Sequence, residues 1–202
     1  MKDFIENRTV ALVGNAQSLF NSQFGSDIND HDVVIRINNP AIFYDNLPYR
    51  NSHGTKIDVW AFWDEYRFST SQSSCRTKRM DDYFYRGKYH LLDLKMGNRE
   101  RGFSFNDKEQ GADIKTRCMK ETGNPSAGLI CLYLLNEMNP KTVNVYGFDF
   151  KRTNTFHHTY KDVDENRYDS FYRHDYKFEE QYAQNKFFSQ ERFNLKRSGV
   201  DG

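Results

Sequence analysis

The stretch "GNPSAGLICLYLLNEMNPKTVNVYGFDF", Gly123 to Phe150, constrains the fold most. A Gly-Asn-Pro-Ser turn leads into an apolar run of about twelve residues with helical character. Asn139-Pro140 breaks that run, and Thr142 to Tyr146 then reads as a buried strand. Pro125 suits a first helical turn, where its missing N–H is not needed. Helix, break and apolar strand make an α/β half-unit, which must pack its helix against a sheet.

Three further strand candidates agree with that unit: Thr9 to Val13, Val33 to Ile37 and Lys56 to Phe62. "KYHLLDL" is a fourth. A weak helix signal lies at Ala16 to Phe20, and a helical segment at about Asp175 to Phe188. Alternating strands and helices predict an α/β Rossmann-like sandwich with a mostly parallel sheet. With 202 residues the chain reads as one domain, 1–202. Arg67 to Asp82 is polar and Ser-rich and reads as a loop, and "FNDKEQGADIK" as another polar stretch.

In such a sheet, ligands sit beyond the carboxyl ends of the strands. Gly14-Asn15 follows the first strand and Gly147 the last strong one. Ser126, Ala127 and Gly128 open the helix, whose N-terminus suits a phosphate. Small residues there permit close backbone approach, so these turns point to a nucleotide. The dinucleotide pattern G-x-G-x-x-G and the P-loop G-x-x-x-x-G-K-[ST] are both absent, which weighs against NAD and ATP.

Charge excludes other classes. There are 29 basic and 28 acidic residues, net +1, so no basic surface for nucleic acid is implied. Cys75, Cys118 and Cys131 are odd in number and lack CxxC spacing, which argues against a disulfide framework or a cysteine zinc site. No apolar run of about 18 residues and no signal-peptide core appear. These features predict a reducing cytoplasmic setting without a membrane anchor.

These motifs carry a family resemblance. "VALVGNAQSLFNSQFGSDINDHDVVIRINN", Val10 to Asn39, resembles the large sialyl motif of the animal-type sialyltransferases, glycosyltransferase family 29. "NPSAGLICLYLLNEMNPKTVNVYGFDF" resembles their small motif. "HHTY" is similar to the third, and "HDYKFE", His174 to Glu179, has the His-x4-Glu spacing of the very small one. All four stand in family order. The chain is thus similar to a small sialyltransferase of prokaryotic or viral type without a membrane anchor.

The resemblance implies a GT-A-like, Rossmann-like variant fold and an inverting, metal-independent transfer of sialic acid from CMP-sialic acid to a glycan hydroxyl. No cofactor is implied beyond the CMP-sugar donor, and the partners are that donor and the acceptor glycan. Asn15 and Asn38 would touch the donor. Ser126, Ala127 and Gly128 would line the CMP pocket, and Gly147 would lie close to the nucleotide. His158, or alternatively His157, would bind the leaving phosphate, and His174 would be the general base.

Departures keep alternatives open. Ala127 replaces the family's threonine, and Thr159 interrupts the third motif's His-Tyr pair. The paired motif cysteines of animal enzymes correspond to Val10 and Pro140, so that bridge is absent. A CMP-Kdo transferase, or a catalytically impaired CMP-binding protein, shares these motifs. His157-His158 has no partner at metal-ligand spacing. Arg36 has a fork suited to a carboxylate or phosphate. Glu179, five residues after His174, would fall about 140° away on a helix and so off its face. Acceptor choice is expected in Asp64 to Asp113 and in the His157–Tyr172 loop, where Tyr160, Tyr168 and Tyr172 could stack on a sugar.

Overall fold

A computed structural model describes residues 1–38, 49–62, 90–94, 108–153 and 174–197. Six strands form one sheet: β1 (Thr9–Val13), β2 (Val33–Ile37), β3 (Val59–Phe62), β4 (His90–Asp93), β5 (Thr142–Tyr146) and β6 (Phe193–Lys196). Their order is β4-β3-β2-β1-β5-β6, and every pair is parallel. The first four strands therefore step outward in one direction and the last two in the other. The direction reverses between β1 and β5.

The sheet is covered on both faces. Val10 and Leu12 of β1 pack with Val143 and Val145 of β5 against one set of helices. That set includes α1 (Lys2–Ile5), α4 (Lys108–Thr122), α5 (Ala127–Met138) and α6 (Tyr176–Lys186). Ala11 and Val13 face the other way, with Leu19 of the 3₁₀ turn Gln17–Asn21 and Ile28 of α2 (Gly25–Asn29). Burial on both faces explains why β1 reads as an apolar run rather than an alternating one. A short α3 (Arg50–His53) precedes β3. No helix among the described residues is long and apolar enough to cross a membrane.

The α5 unit forms from its local chemistry. Ser126 is the N-cap, accepting from the Leu129 N–H at 3.3 Å. Pro125 therefore stands one residue before the cap, not in the first turn. Asn139 closes the helix in the left-handed region at φ 54°, and Pro140 prevents its continuation. Two further expectations are corrected. Lys108–Thr122, which includes much of the polar "FNDKEQGADIK" stretch, is a fifteen-residue helix. The weak helix near Ala16 is a 3₁₀ turn, Gln17–Asn21. Arg67–Asp82 lies outside the described residues.

Candidate active site at the sheet's reversal point

A reversal of strand order leaves a crevice beyond the carboxyl ends of the two strands involved. Here those strands are β1 and β5, and Val13 pairs with Tyr146 at their level ends. The next residues are Gly14 and Gly147. The Gly14 N–H donates to the Tyr146 carbonyl at 2.8 Å, and the Ala16 N–H to the Gly147 carbonyl at 3.2 Å. A Cβ on Gly14 would stand 2.5 Å from the Gly147 oxygen and 2.8 Å from the Phe148 ring. Gly147 holds φ 66°, a region that side chains rarely adopt. A Cβ on Gly128 would meet the other edge of Phe148 at 2.5 Å. The close approach expected of these glycines is thus made by the protein itself. One ring bridges the turn after β1 and the start of α5.

Asn15 is the polar residue placed by this turn. Its side chain is buried, with 7% of the residue exposed. The amide nitrogen donates to the Ile37 carbonyl at 2.8 Å, which fixes which end is nitrogen. Its oxygen finds no partner among the described residues. A buried acceptor without a donor is costly, so this oxygen is ready for a ligand hydroxyl or amine. Asn38 follows β2 with φ 53°. Its N–H donates to the Ala61 carbonyl, and its own carbonyl takes the Trp60 indole N–H.

A second corner forms where the N-termini of α5 and α6 meet. Glu179, in the first turn of α6, is 2% exposed. Its two oxygens lie 2.6 Å from the Ser126 N–H and 2.6 Å from the Ser126 hydroxyl. An N-cap serine and a glutamate commonly cap one another within a single helix; here the glutamate comes from another helix. Burial pushes the Glu179 carboxyl up, against the pull of its two Ser126 bonds. Both helix ends present positive dipole potential to that carboxyl.

His174 completes the corner. It stands just before Asp175, the N-cap of α6. Its Nδ1 lies 2.5 Å from the Asn124 carbonyl and 4.0 Å from a Glu179 oxygen. A carbonyl only accepts, so Nδ1 carries the hydrogen and Nε2 holds the lone pair. No described residue bonds Nε2, and the side chain is 28% exposed. The helical-wheel expectation for Glu179 is therefore wrong: His174 lies outside the helix, and the chain bend brings the two together.

The family model for glycosyltransferase family 29 (sialyltransferase) matches residues 5–84. That part of the chain is similar to the family 29 sialyltransferases. No curated protein matches the sequence. Two solved mammalian sialyltransferases share the fold. One, in complex with Gal-β-1-3GalNAc-ortho-nitrophenol, has TM-score 0.53 and 16% identity, over 98% of this chain and 72% of its own. The other has TM-score 0.50 and 19% identity, over 95% of this chain and 70% of its own. The family match contains Asn15 and Asn38, whereas Ser126 and His174 lie beyond it.

In this chain Gly14, Asn15, Gly147, Ser126, Ala127 and Gly128 gather at the crevice and the α5 terminus, and His174 is anchored there through Asn124. Asn38 sits at the end of β2, where Asn15 also bonds. His157, His158, Thr159, Tyr160, Tyr168 and Tyr172 lie outside the described residues, as does most of Asp64–Asp113. Arg36 is fully buried, and its guanidinium donates to the Lys56 and His53 carbonyls at 2.8 and 2.7 Å. It braces α3 against β2. Among the described residues no group of three His, Cys, Asp or Glu side chains could hold a metal. Sequence reasoning passed over Asp149 and Lys151. Their signal was a charged pair directly after the Gly147 turn.

Proposed function

We propose that the protein transfers sialic acid from CMP-sialic acid to an acceptor glycan hydroxyl, with inversion and without a metal. The observation carrying this reading is His174, with its Nδ1 hydrogen committed to Asn124 and its Nε2 lone pair left to accept a proton. That geometry suits a general base acting on an acceptor hydroxyl, a contribution of typically 10²–10⁴-fold. The attack on the anomeric carbon releases CMP as the leaving group, and the hydroxyl proton passes to Nε2.

The donor side is supported by the crevice. The unpartnered Asn15 oxygen suits a ribose hydroxyl or the cytosine amine. Gly147, Ala127 and Gly128 shape the wall beside it, and His158 or His157 serves the leaving phosphate. A CMP-Kdo donor fits the same description, because it is also a CMP-linked 2-keto acid. The buried cysteines Cys118 and Cys131, both free, suit a reducing cytoplasm.

The test is a His174→Ala variant assayed for transfer and titrated with CMP. Transfer should fall by about 10²-fold or more, while CMP affinity stays near that of the wild type, because the base meets acceptor rather than nucleotide. Near-normal transfer by this variant would remove the mechanism.

A further inference from the structure

We propose that Lys151 is the cation that holds an oxyanion of the donor, its phosphate or its sugar carboxylate, beside the His174 base. The assignment rests on the transferase reading above and adds a residue to it.

The loop that carries Lys151 leaves β5 at the sheet's reversal point. Its backbone is unusual: Phe150 and Lys151 hold φ 51° and 66°, both in the left-handed region and neither a glycine. Such conformations persist only where surrounding contacts impose them, and they concentrate at functional sites. Asp149 imposes this one. One oxygen takes the Lys151 N–H at 3.1 Å; the other takes the Thr153 N–H at 3.0 Å, the Ser18 hydroxyl at 3.1 Å and the Thr153 hydroxyl. The Ser18 bond ties this loop to the segment after β1, so both sides of the crevice are joined through one carboxylate.

The bend points the Lys151 side chain toward the catalytic corner. Its ammonium lies 5.8 Å from the centre of the Tyr176 ring. Tyr176 in turn packs edge-on against His174, with ring centres 5.6 Å apart. Burial pushes the ammonium down to about 8, partly opposed by Asp149, so it stays largely charged at neutral pH. A partly desolvated cation gains more from an anion than an exposed one does. A CMP-sialic acid donor brings two anions, and negative charge grows on its phosphate as CMP leaves. A fixed cation at that place stabilises the departing charge.

The experiment titrates CMP and a non-transferable CMP-sialic acid analogue into wild type, Lys151→Met and Lys151→Arg. Methionine keeps most of the stem on Tyr176 and removes the charge; arginine keeps the charge. Lys151→Met should weaken binding of the analogue by about tenfold or more, as expected for a lost bond to a charged group. Lys151→Arg should keep most of it. Equal weakening for CMP identifies the phosphate, and weakening for the analogue alone identifies the carboxylate. If Lys151→Met does not fold, Lys151→Gln replaces it, with equal melting of the free proteins as the check on folding. Wild-type affinity in the charge-removing variant, or equal loss in the arginine variant, overturns the assignment. If wild type binds neither ligand, the transferase reading falls and takes this assignment with it.

Discussion

The two corners of the crevice are built on opposite principles. At the β1–β5 corner, space is the scarce quantity. Gly14, Gly147 and Gly128 matter because nothing can be added to them: each candidate Cβ lies 2.5–3.0 Å from its nearest neighbour. At the α5–α6 corner, bonding groups are the scarce quantity. Ser126, Glu179 and His174 matter because nothing can be taken away without orphaning a partner. The first corner sets a shape and offers one unpaid acceptor, the Asn15 oxygen. The second holds a titratable ring in one tautomer. Adding atoms should damage the first corner and removing them the second.

Gly14→Ala tests the first half most severely. Its Cβ meets a backbone oxygen that cannot swing away, so a loss of roughly 1–3 kcal/mol is expected, read as a lower denaturant midpoint. Gly128→Ala meets only the Phe148 ring and should cost less. Adding Phe148→Leu should recover part of that loss, whereas it should not rescue Gly14→Ala. Full rescue of both would show that the ring, not the backbone, sets the limit at each site.

Glu179→Ala tests the second half. It strands the Ser126 N–H and hydroxyl and should lower stability by about 1–3 kcal/mol. Glu179→Gln keeps an acceptor for the N–H and a donor for the Ser126 oxygen, so thermal melting should stay close to wild type. If glutamine is as damaging as alanine, the carboxyl's charge and not its bonding holds this corner.

An effect that appears only on acidification comes from a histidine outside both corners. His53 is 1% exposed, and burial beside Arg36 depresses it from 6.5 to about 3. Between those values the unfolded chain binds the proton that the folded chain refuses. Stability should therefore be full above about pH 6.5 and fall as pH drops toward 3, by up to about 1.4 kcal/mol per unit. Urea midpoints at several pH values should show a shallower slope in His53→Gln than in wild type. The least change is expected from chelation: transfer should persist in EDTA, and its loss with restoration by manganese would contradict the metal-free reading.

Much of the fold was legible because its signals are local. Thr9–Val13, Val33–Ile37 and Thr142–Tyr146 are strands with the bounds read from the sequence, since each is an apolar run closed by a turn residue. β6, FNLK, buries only Phe193, so it carries no apolar run to stand out. Lys108–Thr122 hid because its sequence, KEQGADIKTRCMKET, is mostly polar; Ile114 and Cys118, one turn apart, are buried among its described side chains. In the site, the motif residues were legible but their bonds were not. Nothing local says that Glu179 caps a helix 53 residues away, or that Phe148 fills the space two glycines leave. Arg36 misled for the same reason: a guanidinium fork suits a phosphate, but two backbone carbonyls reach it first.

The central claim is that the reversal point between β1 and β5 receives a CMP-linked sugar. Thermal melting with CMP, NAD and ATP in parallel tests it most directly. CMP at about 100 times its dissociation constant should stabilise the fold by about 2.7 kcal/mol, and NAD and ATP should not raise the melting temperature. No shift at millimolar CMP, or a larger shift with NAD or ATP, would contradict the account.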